Sequence, residues 1–121
     1  MPITNFLGLT RLAKPLTSVE GRRILERDQF RCQYCGLDGA STFENSLIMT
    51  VDFVQPRAHK GKKTPDNLVT ACRPCNTIKG LRSFHSLAEA REYVLKRRAE
   101  LRKEWDARME SFRGRVAAAV K

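Results

Sequence analysis

The sequence predicts a small α+β domain that a bound metal crosslinks. An N-terminal helix and a long C-terminal helix flank this domain. Three observations predict it. Four cysteines fall into two Cys-x-x-Cys pairs, a run of β-forming residues lies between the pairs, and the last third of the chain has a helical apolar period. A chain of 121 residues forms one domain with a small core, so a bound metal would add useful stability.

The composition indicates a polyanionic partner. Lys and Arg outnumber Asp and Glu by 23 to 13, which gives a formal net charge of +10. An excess of this size favours nucleic acid, although a ribosomal or simply solvated basic protein is the alternative. No run approaches the ~18 apolar residues of a membrane span, and the first residues lack the features of an export signal. We therefore expect a cytoplasmic protein without a membrane partner.

The first half of the chain begins with a segment punctuated by prolines, which predicts an irregular arm over residues 1–16. The stretch "TSVEGRRILERDQF" then predicts a helix that Thr17 or Ser18 caps. The stretch "CQYCGLDG" predicts a tight knuckle, in which two cysteines converge on one metal. Residues 46–54, "SLIMTVDFV", are rich in β-forming side chains and predict a strand.

The second half continues with "QPRAHKGKKTPDN", which predicts a polar loop, and "LVTAC", which predicts a second short strand. The stretch "RPCNTIKG" predicts the second knuckle, running into a short helix that Gly80 ends.

The C-terminal segment is predicted to be one helix. Ser86 and Glu89 form the pattern of a capping box. Its apolar residues recur on one helical face: Ala90, Val94, Leu101, Trp105 and Phe112. This face docks on the domain or forms the seam of a homodimer, so both a monomer and a homodimer stay open. The domain would span residues 17–84, the helix 85–112 and a frayed tail 113–121.

The four cysteines predict a structural metal site. Four thiolates make a closed tetrahedral site that leaves no open position for substrate, and zinc is the first choice. The ligands would be Cys32, Cys35, Cys72 and Cys75. Iron in a rubredoxin-like site is the second choice, and two disulfides are less favoured in a chain without an export signal. Any chemistry must then lie elsewhere.

The stretches "RDQFRCQYCG" and "VDFVQPRAHKGKKTPDNLVTACRPCNTIKG", with the spacing between them, resemble the HNH endonuclease family in its zinc-bearing form. The resemblance covers roughly residues 20–82. It implies a ββα-metal fold, in which two antiparallel strands, a loop and a helix surround one catalytic cation. It also implies DNA, most simply double-stranded DNA, as the partner.

The resemblance assigns roles to four positions. Asp52 and Asn76 match the oxygen ligands of a catalytic Mg2+ or Mn2+. Asn67 matches the asparagine that holds the loop and orients the general base. Phe53 stands where the family has the general-base histidine, and its side chain cannot accept a proton. Plainer roles remain open: Asp52 could cap a turn, Asn67 could be a turn residue, and Asn76 could cap the short helix.

Basic residues around this site are candidates for DNA phosphate contact. Where the family often has a Gly-Gly turn, this chain has the more basic "KGKK". The candidates are Arg57, Lys60, Lys62, Lys63, Arg73 and Lys79. The alternative for the loop lysines is a solvated surface.

A substitute for the missing base would have to be found nearby. His59 lies six residues after Phe53 and could serve if the loop folds back. Contact with phosphate or solvent is its simpler role. Phe53 itself is compatible with a deliberate substitution, a natural loss of cleavage or a natural variant with another base.

Two functions follow. The first is an HNH-type metal-dependent DNA endonuclease, impaired because Phe53 replaces the base. The second is a catalytically inactive zinc module that binds DNA or RNA.

Overall fold

The computed structural model describes residues 14–120, so most of the predicted N-terminal arm lies outside the described residues. The elements are helices α1 (Ser18–Arg27), α2 (Phe43–Leu47), α3 (Arg73–Lys79) and α4 (Leu87–Ala119), strands β1 (Met49–Phe53) and β2 (Leu68–Cys72), and 3-10 turns at Arg57–His59 and Pro65–Asn67.

The centre of the fold is a hairpin followed directly by a helix. Strands β1 and β2 pair antiparallel, from Met49 opposite Cys72 to Phe53 opposite Leu68. Every residue of β2 is buried, and α1 and α3 both pack against the two strands. The chain enters α3 immediately after β2, so the end of β1 and the body of α3 lie side by side. This confirms the predicted α+β class and the ββα arrangement.

Helix α1 is fixed at both ends by polar contacts. Thr17 and Glu20 form a reciprocal capping box at its start. At its end, the Arg27 guanidinium donates to the backbone oxygens of Pro65 and Leu68, at 2.8 and 2.6 Å. The Asp28 carboxylate accepts from the backbone N–H of Thr70 at 2.8 Å. The helix therefore holds one face of the hairpin in place.

Two boundaries differ from the prediction. The strand predicted over 46–54 begins only at Met49, because the Thr42 hydroxyl caps Asn45 and starts the short helix α2. The tail predicted to fray from residue 113 is helical as far as Ala119. The last residues are rich in alanine, whose helix propensity is high.

Helix α4 begins at the predicted cap, where the Glu89 N–H donates to the Ser86 hydroxyl at 3.1 Å. Ala90 and Val94 are fully buried against the domain. Farther along the same face, Trp105 is 43% exposed and Phe112 is 48% exposed. The apolar face therefore docks only through its first turns. Within residues 14–120, α4 and the other helices are all too short or too polar to cross a bilayer.

Candidate zinc centre and nuclease-like cleft

Four cysteine sulfur atoms meet where the first knuckle, the end of β2 and the start of α3 come together. The sulfurs of Cys32, Cys35, Cys72 and Cys75 all lie within 4.8 Å of one another, and those of Cys35 and Cys72 are 3.7 Å apart. A Zn–S bond of about 2.3 Å gives tetrahedral edges of about 3.8 Å. A disulfide would need about 2 Å. The geometry therefore fits a metal site with four cysteine ligands and excludes disulfides among these four.

The electrostatics of the cluster also call for a cation. Hydrogen bonds from Cys72 and Cys75 hold the pKa of Cys32 well below its usual range. The hydrogen bond with Cys32 raises the pKa of Cys72 to about 11, and it raises the pKa of Cys75 even further. Without a cation, sulfurs this close oppose one another's ionisation. A divalent ion bound by all four sulfurs would offset two of the four negative charges and favour the thiolate form of each ligand.

Groups around the cluster are placed to support thiolate ligands. The backbone N–H of Cys35 points at the Cys32 sulfur at 3.5 Å. The Arg98 guanidinium on α4 points at the Cys75 sulfur at 3.6 Å. Donors of this kind orient ligands and stabilise their charge. The metal site thus joins the knuckle, β2, α3 and α4.

A cleft of about 350 Å³ opens at the end of β1, beside α3. Its lining includes Asp52, Phe53, Arg57 and Asn76. The structure therefore brings together the predicted ligand pair, the residue at the base position and one predicted phosphate contact. Asn76 lies in the second turn of α3, whose first capping position is Cys72, so the alternative role of Asn76 as a helix cap is wrong.

The comparison with protein-family models decides what this arrangement is. Residues 32–82 match the model of the HNH endonuclease family. These residues form an HNH domain. The matched segment contains all four cysteines and the whole ββα unit. Comparisons with curated proteins and with solved structures gave no match.

Asp52 of the HNH domain is buried, and both of its carboxylate oxygens have polar partners. Its side chain lies on the inner face of β1 and is 6% exposed. The Tyr34 hydroxyl donates to Asp52 Oδ2 at 2.5 Å, and Lys79 Nζ lies 3.3 Å from Oδ2 and 3.4 Å from Oδ1. Burial raises the pKa of Asp52, while Tyr34 and Lys79 oppose the rise. A catalytic cation would have to share this carboxylate with the ammonium group.

Lys79 corrects a prediction. It was expected to contact DNA phosphate, but its side chain is completely buried. Its ammonium group donates to the Phe53 carbonyl at 2.9 Å as well as to Asp52. Burial lowers the pKa of Lys79, while Asp52 raises it. In this position the ammonium group balances the charge of Asp52 and cannot reach a phosphate outside the domain.

Asn67 ties the loop that follows β1. Its Oδ1 accepts from the Gln55 N–H at 2.8 Å, and its Nδ2 donates to the carbonyls of Gln55 and Lys62, at 3.0 and 2.9 Å. These bonds close the loop at its base. His59 is exposed on this loop and does not line the cleft, so the structure gives no support to its role as a substitute base.

The basic loop makes a close turn at residues 60 and 61. A Cβ at Gly61 would stand 1.6 Å from the Gln55 carbonyl oxygen, so only glycine fits. Lys60 has a positive φ of 65°, a conformation that favours glycine. Lys60 and Lys62 are exposed, whereas Lys63 pairs with Glu20 at 3.0 Å. Arg73 is exposed at the start of α3.

Sequence reasoning missed one site residue and gave another the wrong role. Tyr34 lies between two cysteines of the cluster and looks like part of a knuckle, and Lys79 was predicted as a phosphate contact. A helical-wheel argument could have flagged Lys79. It lies three residues after Asn76 and four after Cys75, on the inner side of a short helix. Nothing in the sequence indicates that the Tyr34 hydroxyl reaches Asp52.

Metal removal should unfold the HNH domain. We expect one zinc per chain by elemental analysis. A strong chelator should lower the midpoint of thermal unfolding by a large margin, because structural zinc contributes about 10–16 kcal/mol of apparent binding energy. Cys72→Ser should reproduce this loss. Ser83→Ala, which changes an exposed hydroxyl outside the cluster, is the control. Retention of the native midpoint after complete zinc removal would contradict a structural role.

Lys79→Met should destabilise the domain by about 3–5 kcal/mol, because it leaves the Asp52 carboxylate buried without its counter-charge. Asp52→Asn in the Lys79→Met background should recover part of that loss. Chemical denaturation of both single variants and the double variant measures the coupling. Lys62→Met, at an exposed lysine of the loop, should change stability by less than about 0.5 kcal/mol. Equal effects of Lys79→Met and Lys62→Met would refute the buried pair.

Proposed function

We propose that this chain is an HNH-type endonuclease that acts on double-stranded DNA and whose hydrolytic step is impaired by Phe53. The single observation that carries the proposal is the cleft in which Asp52, Phe53 and Asn76 meet. The two residues that match the family's oxygen ligands lie there together with the residue at its base position, which carries a benzyl side chain.

The cleft offers a coherent way to hold a scissile phosphate. Asp52 and Asn76 would hold Mg2+ or Mn2+, which supplies charge neutralisation and Lewis acidity to the phosphate. Arg57 lines the same cleft, and its guanidinium would bind the phosphate there. Asn67 keeps the loop that carries Arg57 in place.

The basic loop supports DNA as the partner. Lys60 adopts a left-handed backbone conformation that a glycine would adopt at less cost, yet the position holds a lysine. Its exposed ammonium group, with that of Lys62, stands on the side of the HNH domain that carries the cleft loop. Contacts of this type fix position on the duplex without reading sequence, so we expect little intrinsic specificity.

The absence of a general base determines how much the rate of hydrolysis is reduced. General-base catalysis typically contributes about 10²–10⁴-fold to the rate. Phe53 supplies none of it, and His59 lies outside the cleft lining. The electrostatic contribution of a cation is separate from the base and is not removed by Phe53.

One observation favours the second candidate function, an inactive zinc module that binds DNA or RNA. The Lys79 ammonium group already balances the charge of Asp52, so the carboxylate satisfies its environment without a cation. In this case the HNH domain retains binding through its basic loop and has lost cleavage altogether.

Restoring the base should restore cleavage. On supercoiled plasmid with Mg2+ or Mn2+, we expect Phe53→His to cut about 10²–10⁴ times faster than the chain as written. Asn76→Ala in the Phe53→His background should abolish cutting while leaving the unfolding midpoint near that of Phe53→His. Asn76 suits this test better than Asp52, because Asp52 is also part of a buried pair. Omission of Mg2+ and Mn2+ from a sample that holds one zinc per chain gives the baseline without the catalytic cation.

The outcomes separate the two functions. Cutting by Phe53→His and not by the chain as written supports the impaired nuclease. Strong cutting by the chain as written refutes the impairment. If no variant cuts although all bind DNA with a salt dependence, the inactive binding module stands and the nuclease proposal fails.

Lys60→Gly should separate binding from stability. The variant removes the strained backbone conformation, so stability should stay level or rise by up to about 1 kcal/mol. DNA affinity should fall for all sequences alike, and the slope of log K against log salt should decrease by about 0.9 if one phosphate contact is lost. Fluorescence anisotropy over a salt series measures it. Lys103→Ala, at an exposed lysine far along α4, is the control, and an equal drop in both variants would argue against a specific role for the loop.

A further inference from the structure

The distal half of α4 presents an apolar stripe to solvent. We define the distal stripe as Leu101, Trp105, Met109, Phe112 and Val116. These residues recur at spacings of four, four, three and four, which places them on one helical face. The same face buries Ala90 and Val94 in the domain. Beyond the first turns, the Arg102 and Arg113 guanidinium groups of α4 itself lie over the Trp105 ring, at 5.6 and 5.9 Å from its centre. Trp105, Phe112 and Val116 remain 43%, 48% and 48% exposed.

The charge of this half differs from that of the rest of the chain. Between residues 99 and 120 there are five basic and four acidic side chains, so the segment is almost neutral. Most of the net charge of +10 therefore lies in the remainder of the chain. A nearly neutral helix with an apolar stripe is suited to a protein partner and poorly suited to a nucleic acid.

The geometry points to a second copy of this chain as that partner, with the two distal halves paired antiparallel about a two-fold axis near Met109. In this arrangement Trp105 lies opposite the partner's Phe112, and Leu101 lies opposite the partner's Val116. Met109 meets the partner's Met109 at the axis. The stripe is thus self-complementary over about 24 Å of helix.

The flanking charges favour this orientation. About the same axis, Glu104 faces the partner's Arg115 on one flank, and Asp106 faces the partner's Arg113 on the other. The symmetry repeats each pair, which gives four contacts of opposite charge. A parallel pairing would instead bring Glu104 beside the partner's Asp106 and Arg113 beside the partner's Arg115, so that like charges would meet.

Two further features fit the antiparallel pair. Each HNH domain occupies the stripe face at the start of its own helix, so a parallel partner would collide with it, whereas an antiparallel partner places the two basic domains at opposite ends. In addition, a cleft of about 410 Å³ lined by Ile78, Arg98 and Leu101 lies where α4 leaves the domain. The last turns of the partner's helix would end in this cleft.

The chain carries a natural probe for the pairing, because Trp105 is its one tryptophan. On dilution, a dimer should dissociate, and Trp105 emission should shift to longer wavelength as the indole becomes solvated. Sedimentation equilibrium on the same samples should show a mass that moves from twice 13.8 kDa towards 13.8 kDa.

Variants test the face and the orientation. Phe112→Glu should raise the dimer dissociation constant by at least about 100-fold, because it places a charge in the stripe in both copies. Ala107→Glu, on the opposite face, should leave the constant unchanged. Asp106→Arg and Arg113→Asp should each weaken the homodimer, and a mixture of these two variants should restore dimerisation because the heterodimer regains its opposite-charge contacts.

Three results would overturn the inference. One is a mass of 13.8 kDa at every concentration up to roughly 100 µM. Another is equal effects of Phe112→Glu and Ala107→Glu. The third is Trp105 emission that does not depend on concentration but shifts when residues 1–13 are deleted, because the N-terminal arm would then cover the stripe. Charge variants that do not weaken the dimer would refute the antiparallel orientation. Each result is independent of whether the domain cleaves DNA.

Discussion

The charge of four crowded thiols is the constraint on which the rest of this molecule depends. With all four sulfurs within 4.8 Å, the cluster cannot hold four thiolates unless a cation compensates them. Once it does, four parts of the chain that are distant in sequence are joined at one point: the first knuckle, the end of β2, the start of α3 and, through Arg98, the start of α4. The described core is small, so the metal site supplies much of the stability that a larger core supplies in other domains.

The cleft takes its shape from this joint. Tyr34 stands between two of the cysteines, and its hydroxyl holds the carboxylate of Asp52. Lys79 leaves α3 one turn after Cys75 and neutralises the same carboxylate. The loop that completes the cleft is closed by Asn67 and by a glycine that nothing larger can replace. The metal centre, the buried pair and the loop therefore form one connected structure, in which the cleft and the basic loop face the solvent.

The sequence predicted the parts of this structure that depend on local patterns. Cysteine spacing located the metal site, the Ser86 cap started α4 where it was expected, and the run before Cys72 became β2. The misses have a different origin. Helix α2 rests on a single threonine cap, which is a weak signal inside a β-forming run. The partners of Asp52 are 18 and 27 residues away along the chain, so only the tertiary fold shows that Lys79 is buried rather than available to DNA.

Because Asp52 is paired with buried Lys79, its presence is not by itself evidence of selection for catalysis. Removing either Asp52 or Lys79 strands a charge inside the domain, so the fold itself resists the loss of either one. Phe53 lies beside them and is partly exposed, and its replacement would leave no buried charge without a partner. A lineage that stops needing cleavage can therefore drift first at the base while selection for folding alone preserves the aspartate. In a domain of this kind, an aspartate at the position of Asp52 is kept because the fold needs it. The residue at the position of Phe53 is the better indicator of whether catalysis is still selected.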